Sequence, residues 1–379
     1  MTPSRSSGFR VKHGWAFFLF FLATAGATFA GNHVVAWGDL ATCPTNVPAG
    51  ATNVQAIAAG RTFCLALESD STVLAWGTGN GTNTPAGLSN VVAIAAGGGQ
   101  GLALKNDGTL AAWGAPSLAT LTNIPAGLSN ILAVSCGDDH NLVLKSDGTI
   151  YAWGENYSHQ TNILAGLSNV VAIAAGDSAS MAIKSDGTTW CSSGFFPTSV
   201  ASQSNIVAGA IVAGGEQGVF IQQDGAALVW GINGSSVTNV PNAVAASGRS
   251  AFNQAGAAWV LQRNGTLAGF NTSYLGQSNI WMNLSNVLAI AAGYYYHAAI
   301  VGDSVPVAIE PMASAKFTNG QFVISQPTSL GRNYRLEYLD SLSGDWQIVS
   351  PLPGNGSMQT LVDPNPNPQH RFYRVYAGQ

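Results

Sequence analysis

Along residues 34–303 apolar and polar side chains alternate in short runs, and the runs recur in a fixed order. GLALKNDGTLAAWG (101–114) and NLVLKSDGTIYAWG (141–154) each change sign every second residue on both sides of an Asp-Gly pair. A period of two over five or six residues predicts half-buried strands. Asp-Gly between two such runs predicts a two-residue hairpin turn, because Asp and Gly tolerate positive φ. The pairs are Asp107-Gly108, Asp147-Gly148, Asp186-Gly187 and Asp224-Gly225. Their four carboxylates are therefore turn formers rather than catalytic groups.

Two phrases repeat seven times. One ends in Trp-Gly or a relic of it, with its aromatic residue at Trp37, Trp76, Trp113, Trp153, Trp190, Trp230 and Phe270, at intervals of 37 to 40 residues. The other ends in Ala-Gly or similar, at Gly60, Gly97, Gly137, Gly176, Gly214, Gly248 and Gly293. The chain opens on an unmatched Trp-Gly phrase and closes on an unmatched Ala-Gly phrase. If residues 34–38 complete the unit begun at 285–300, all seven units are whole, as in a ring of sheets closed by its two ends. A linear solenoid needs capping repeats instead. Units of about 40 residues, all β, predict a seven-bladed β-propeller over 31–303, closed by pairing of N- and C-terminal strands. The Ala-Ala-Gly strands suit the crowded axis, and the Trp residues suit wedges between neighbouring blades. The sixth unit (243–270) has an altered first hairpin.

The combined phrase AIAAGxxxxLALKxDGTxxAWG resembles regulator-of-chromosome-condensation repeats, over most of 34–303. The short units, the opening VVAWG and the linker phrase NVPAG or NIPAG look more like the secreted type II β-lactamase-inhibitor propeller. Both resemblances imply the propeller fold. The second implies an enzyme-gripping face of aromatic loop residues, but the matching positions here are mostly Gly, Ser, Asp or Gln, with Phe63 and a Tyr cluster as exceptions. The nuclear members imply guanine nucleotide exchange on a small GTPase and contact with chromatin, partners that an exported acidic chain does not meet.

Residues 304–315 (SVPVAIEPMASA), with two Pro, read as a linker. The runs FTNGQFVIS, YRLEYLDS, WQIVS, MQTLVD and RFYRVYA predict five strands in a small β-sandwich-like C-terminal module over 316–379. It resembles terminal modules of exported bacterial proteins, which implies envelope attachment. Residues 1–30 read as a signal peptide: Arg5, Arg10 and Lys12 precede the apolar WAFFLFFL, and small residues at Ala27 and Ala30 offer cleavage sites. No later run is long and apolar enough to span a membrane, so the expected location is secreted or envelope-associated.

Only 8% of residues are charged, against about 25% in ordinary soluble domains. Residues 31–303 carry six basic and thirteen acidic residues, net −7. Nucleic-acid binding needs clustered Lys and Arg, so no nucleic acid is expected. The four cysteines form no CxxC pair. An exported chain can join Cys43 to Cys64, while Cys136 stands where related units carry Ala and reads as a small core residue. His140, His159 and His297 lie in different units, and no metal pair, cofactor motif or catalytic signature is present. Asp138 and Asp139, adjacent on one loop, are not an acid/base pair across a substrate.

The loops after each Ala-Gly phrase open on one face of such a ring and differ between units that otherwise agree, as a recognition surface requires. The candidate binding residues are Phe63, Asp138, Asp139, His140, Glu216, Tyr294, Tyr295 and Tyr296. Of the tyrosines, alternation predicts Tyr294 or Tyr296 inside and Tyr295 more exposed. The expected function is a monomeric, non-enzymatic scaffold that recognises an extracellular protein or glycan. Inhibition of an extracellular enzyme, and a lyase or hydrolase with residues gathered from several blades, remain the alternatives.

Overall fold

The structure is a computed structural model that describes residues 32–38, 44–192, 205–212, 217–230, 238–249, 257–270, 284–294 and 296–302 of the repeat region. In the C-terminal region it describes the strands 315–318, 321–327, 333–339, 347–353, 358–363 and 372–378. Residues 1–30, read as a signal peptide, lie outside this set with Gly31, and so does the linker apart from Ala315. Among the described residues no helix is long and apolar enough to cross a membrane.

Among the described residues the repeat region forms seven antiparallel sheets. Unit 1 is Val54–Ala59, Phe63–Glu68 and Val73–Gly77. Unit 2 is Val91–Ala96, Gln100–Lys105 and Leu110–Gly114. Unit 3 is Ile131–Cys136, His140–Lys145 and Ile150–Gly154. Unit 4 is Val170–Ala175, Ser180–Lys184 and Thr189–Cys191. Unit 5 adds a fourth strand, Thr238–Val240, to Ile206–Val212, Gln217–Gln222 and Ala227–Trp230. Unit 6 is Ala243–Arg249, Ala257–Gln262 and Leu267–Phe270. Among the described residues unit 7 has Val287–Ala292 and Tyr296–Gly302 from its own stretch, and Asn32–Gly38 pairs with Tyr296–Gly302 from Asn32↔Gly302 to Gly38↔Tyr296.

Two backbone devices recur in the sheets. Each first strand shifts register after its first residue, as between Val91 and Ala93 or Ile131 and Ala133, a bulge that bends and twists the strand. The residue before each first strand is an Asn in the left-handed region: Asn53, Asn90, Asn130, Asn169, Asn205, Asn242 and Asn286, with φ between 56° and 60°. Asn accepts this conformation more readily than most side chains. Its carbonyl then takes an N–H from the end of its own unit's second strand, as Asn106 N–H to Asn90 O at 2.9 Å.

The Asp-Gly turns differ from a two-residue hairpin. Lys105 N–H donates to Thr109 O and Gly108 N–H to Lys105 O, both at 2.9 Å, leaving three residues in the loop. Only the Gly is left-handed, with φ 78° at Gly108. Asp107 instead accepts from the Thr109 backbone N–H at 2.9 Å and its hydroxyl at 2.5 Å. Those bonds hold the Asp107 carboxyl below its ordinary pKa. The wider loop matches the sheet twist with one left-handed residue instead of two. The carboxylates remain turn formers.

The apolar core is divided among the seams between neighbouring units. One cluster joins Phe63, Leu65 and Leu67 of unit 1 to Val91, Ala96, Ala103 and Trp113 of unit 2. Another joins Leu102 and Leu104 of unit 2 to Ile131, Cys136, Val143 and Trp153 of unit 3. Others join units 3 and 4, 4 and 5, 5 and 6, and 6 and 7. The last joins Val54, Cys64 and Trp76 of unit 1 to Ala289, Tyr296 and Ile300 of unit 7 and to Val34. Cys136, in the seam between units 2 and 3, is buried as a small core residue. Three wedge tryptophans satisfy their indole N–H on the connection that precedes their unit: Trp76 on Pro44 O at 2.9 Å, Trp113 on Gly81 O at 2.8 Å and Trp153 on Leu121 O at 3.0 Å.

Unit 4 departs from the repeat. Register places Trp190 opposite Ala182, where unit 3 has Tyr151 opposite Val143. Trp190 is thus two residues short of the wedge position taken by Trp153. A two-residue offset keeps a side chain on the same face of a strand. Trp190 therefore still packs, half-buried, against the seam between units 3 and 4.

Among the described residues the C-terminal region has six strands, where the alternation predicts five, in two three-stranded sheets. FTNGQFVIS divides into Ala315–Thr318 and Gln321–Pro327, which pair with each other. Gln321–Pro327 also pairs with Met358–Asp363. Asn333–Leu339 is flanked by Gln347–Pro353 and Phe372–Gly378.

Candidate binding face

In units 1, 2, 3 and 7 the Ala-Gly phrase ends the first strand, and the chain reverses within three residues into the second. The glycine N–H donates to the carbonyl three residues on, as Gly60 to Phe63 at 2.8 Å, Gly137 to His140 at 2.8 Å and Gly293 to Tyr296 at 2.9 Å. The side chain at that third position folds back over the glycine. A Cβ added at Gly60 would lie 2.2 Å from the Phe63 ring, at Gly293 2.2 Å from the Tyr296 ring, and at Gly97 2.3 Å from Gln100 Nε2. The recurrent glycine is therefore required by close approach.

From this position the side chains reach the neighbouring unit. Tyr296 donates its hydroxyl to the carbonyls of Gly60, at 3.1 Å, and Phe63. Gln100 Nε2 donates to Gly137 O at 3.1 Å. His140 Nε2 meets Ser180 Oγ at 2.9 Å. Because Ser180 gives its own proton to Gln160 O at 2.6 Å, His140 is the donor to Ser180. Burial lowers the His140 pKa to about 4.

These contacts change the standing of three residues that the alternation marks for binding. Phe63 is 1% exposed, and His140 and Tyr296 are both 0%. They are seam residues, because the position that opens the second strand points inward over its glycine. Both Tyr294 and Tyr296 are interior, where alternation allowed for one. Glu216 and Tyr295 lie outside the described residues, and so does Cys43, so the Cys43–Cys64 pairing is not described. The Cys64 thiol lies 3.4 Å from the Tyr296 hydroxyl.

Asp138, Asp139 and Tyr294 remain at the face and are joined there by Arg61. Tyr294 of unit 7 donates its hydroxyl to the Asp138 carboxylate of unit 3, across 156 residues of sequence. Both are buried. The exposed Arg61 of unit 1 lays its guanidinium 4.9 Å from the centre of the Tyr294 ring, within cation–π range. The loops of units 1, 3 and 7 thus converge, with Arg61 outermost. Asp139 is exposed beside them, its carbonyl accepting the Glu155 N–H at 2.7 Å. Among the described residues no group of three His, Cys, Asp or Glu is placed to hold a metal ion.

Alternation did not mark Arg61 or the loop that follows unit 3. That loop leaves Gly154 beside Asp139 and presents Tyr157, 87% exposed. A signal was available, since NYSHQTN has no apolar alternation to give its Tyr a core position.

In the unit that carries Asp138 and His140, residues 131–160 match the family model described as regulator of chromosome condensation (RCC1) repeat. This stretch is similar to an RCC1 repeat. The Ala-Gly and Trp-Gly phrases of that unit recur, with variations, along 34–303. Its fold is similar to that of Prp20p from Saccharomyces cerevisiae, at 16% identity and TM-score 0.57, over 72% of this chain and 92% of that one. Human WBSCR16 is similar at 15% identity and TM-score 0.55, over 72% of this chain and all of that one (100%). The CRINKLY WD40 ectodomain of the Arabidopsis thaliana receptor kinase ACR4 is similar at 17% identity and TM-score 0.50, over 67% of this chain and 93% of that one. These likenesses establish a β-propeller fold. No curated protein matches the sequence.

Proposed function

We propose that this protein is an exported, non-enzymatic binding scaffold. In this reading seven blades close into a ring, with Asn32–Gly38 completing the last one, and the loops after the Ala-Gly phrases recognise a protein or glycan partner. Prp20p, of similar fold, binds the proteins Gsp1p and histones, which supports a protein-binding role for the scaffold. The observation that carries the reading is the convergence of Arg61, Asp138 and Tyr294 from three units onto one face. Constant seams beneath variable loops are what a recognition surface needs. The basic n-region and apolar run at the N-terminus support export. The C-terminal strands then serve to hold the protein at the envelope or leave it free outside.

Affinity capture from envelope and culture-medium fractions tests the reading. The bait is the exported chain, beside an Arg61→Ala/Asp139→Ala double variant with an unchanged unfolding midpoint. A partner held by the parent and lost by the variant is the expected result. Equal capture by both moves the binding role to another surface.

A further inference from the structure

Among the described residues the large apolar side chains most open to water are Tyr151, Tyr157 and Leu164, at 42%, 87% and 59% exposure. All three lie within fourteen consecutive residues of one chain, on the outer strand of unit 3 and the connection after it. A single exposed apolar residue needs no explanation, but a cluster does.

The loop beneath Tyr157 is tied at every turn. Asn156 accepts the Thr161 N–H at 3.0 Å and donates to Asn162 Oδ1 at 2.9 Å. Ser158 N–H donates to Gln160 Oε1 at 2.9 Å. Asn162 Nδ2 lies 3.1 Å from His159 Nδ1, and His159 is left-handed with φ 62°. Gln160 is buried and takes the Ser180 hydroxyl on its carbonyl. A loop fixed in this way holds its aromatic ring outward before any partner arrives, which lowers the entropy lost on binding.

The stretch of chain that carries the ring has acidic residues and no basic ones. Between Lys145 and Lys184 the chain has no Lys or Arg. Glu155 stands two residues before Tyr157, held by the Thr120 hydroxyl at 3.1 Å, and its N–H bonds to Asp139 O. The exposed Asp139 thus adjoins the Tyr157 loop. A ring face flanked by carboxylates attracts a planar cation. The same chemistry occurs inside the face, where Arg61 lies over Tyr294 and Tyr294 binds Asp138.

Resting on the scaffold reading above, we infer that the Tyr157 loop with Glu155 and Asp139 is a docking surface for an arginine-bearing polypeptide segment. An Arg of the partner stacks on Tyr157 while the two carboxylates face its guanidinium.

The test uses the exported chain and fluorescein-labelled peptides of alternating Arg and Gly, alternating Gln and Gly, and alternating Glu and Gly, with chitotetraose as a neutral glycan. Tyr157→Ala is expected to raise the Kd for the Arg peptide at least about fivefold, with Tyr157→Phe keeping parental affinity because it keeps the ring. Glu155→Gln is expected to weaken binding and flatten its dependence on salt. Equal affinity for the Arg and Gln peptides, or equal affinity of Tyr157→Ala and the parent, overturns the inference. So does Tyr157-dependent binding of chitotetraose without the Arg peptide, which identifies the surface as a glycan site. Capture lost in the Arg61→Ala/Asp139→Ala variant but kept in Tyr157→Ala removes this inference alone. Capture kept in both variants removes the scaffold reading beneath it.

Discussion

Units 3 and 7 solve the same problem with different amounts of chain. Unit 3 is contiguous, and its second and third strands are joined by the Asp147-Gly148 turn. Unit 7 borrows its third strand from residues 32–38, more than 250 residues upstream in the sequence. The registers agree: Trp153 stands opposite Asn141, and Trp37 stands opposite His297. What differs is how each unit meets the next. In unit 3 the turn glycine offers its carbonyl to the first strand of unit 4, Val170 N–H to Gly148 O at 3.0 Å. Unit 7 has no such turn. The Asn32 side chain takes its place, accepting the Val54 N–H at 2.8 Å and donating to Val54 O at 2.9 Å. A covalent hairpin has been replaced by one amide, so unit 7 is where the sheet can come apart without unfolding a neighbour.

The sharpest way to break the comparison is to remove the two wedges. Trp37 is 1% exposed and meets Trp259 edge-on at 5.6 Å, with His297 at 5.7 Å. Trp37→Ala and Trp153→Ala should each cost about 3–5 kcal/mol in denaturant unfolding. Their exchange patterns should diverge. Trp37→Ala should strip amide protection from 32–38 and 296–302 while unit 3 stays protected, because the borrowed strand can leave alone. Loss of protection in all seven units together would show that unit 7 is no weaker than the rest.

Acid should expose the same difference more gradually. His297 is fully buried between Trp37 and Trp259, and burial lowers its pKa to about 3; that of His140 falls to about 4. Both therefore stay neutral in the fold at pH values where the unfolded chain, with an ordinary value of 6.5, takes up a proton. Their contribution is complete above pH 6.5 and declines as pH falls towards 4 for His140 and 3 for His297. The slope is about 1.4 kcal/mol per pH unit for each group. Unfolding midpoints of His297→Gln and His140→Gln between pH 7 and 4 check this. Each variant should lose part of the parental slope, and an unchanged slope in both would assign the acid sensitivity to other groups.

The all-β class and the repeated strands were legible because alternation and repeat spacing are properties of the chain itself. Which side chains face outward at the loops was not. Phe63, His140 and Tyr296 sit beside a turn, where one residue of phase decides between solvent and seam, and only the neighbouring glycine reveals the choice. The pairing of Tyr294 with Asp138 spans units distant in sequence, and no local spacing encodes it. Trp190 misled for a related reason, since the repeat interval of 37 residues survives while the register beneath it slips by two. The seven left-handed asparagines were open to reading. Each precedes the Val, Ile or Ala that starts a first strand, and only their backbone meaning was missing.

The smallest expected effect is the most specific to closure. Asn32 is 2% exposed, and its amide satisfies both backbone groups of Val54. Asn32→Ala should leave the Val54 N–H and carbonyl without those bonds, at about 1–3 kcal/mol. Asn32→Asp should cost more, because a carboxylate keeps the acceptor for the Val54 N–H but turns a negative oxygen toward the Val54 carbonyl. In unit 3 no side-chain change can imitate this loss, since Gly148 supplies its carbonyl from the backbone. Exchange rates of the Val54 and Val170 amides in the Asn32 variants read the comparison directly. Val54 should open while Val170 keeps its protection, and equal loosening of both would mean that strain at the borrowed strand spreads around the sheets instead of stopping at the seam between units 7 and 1.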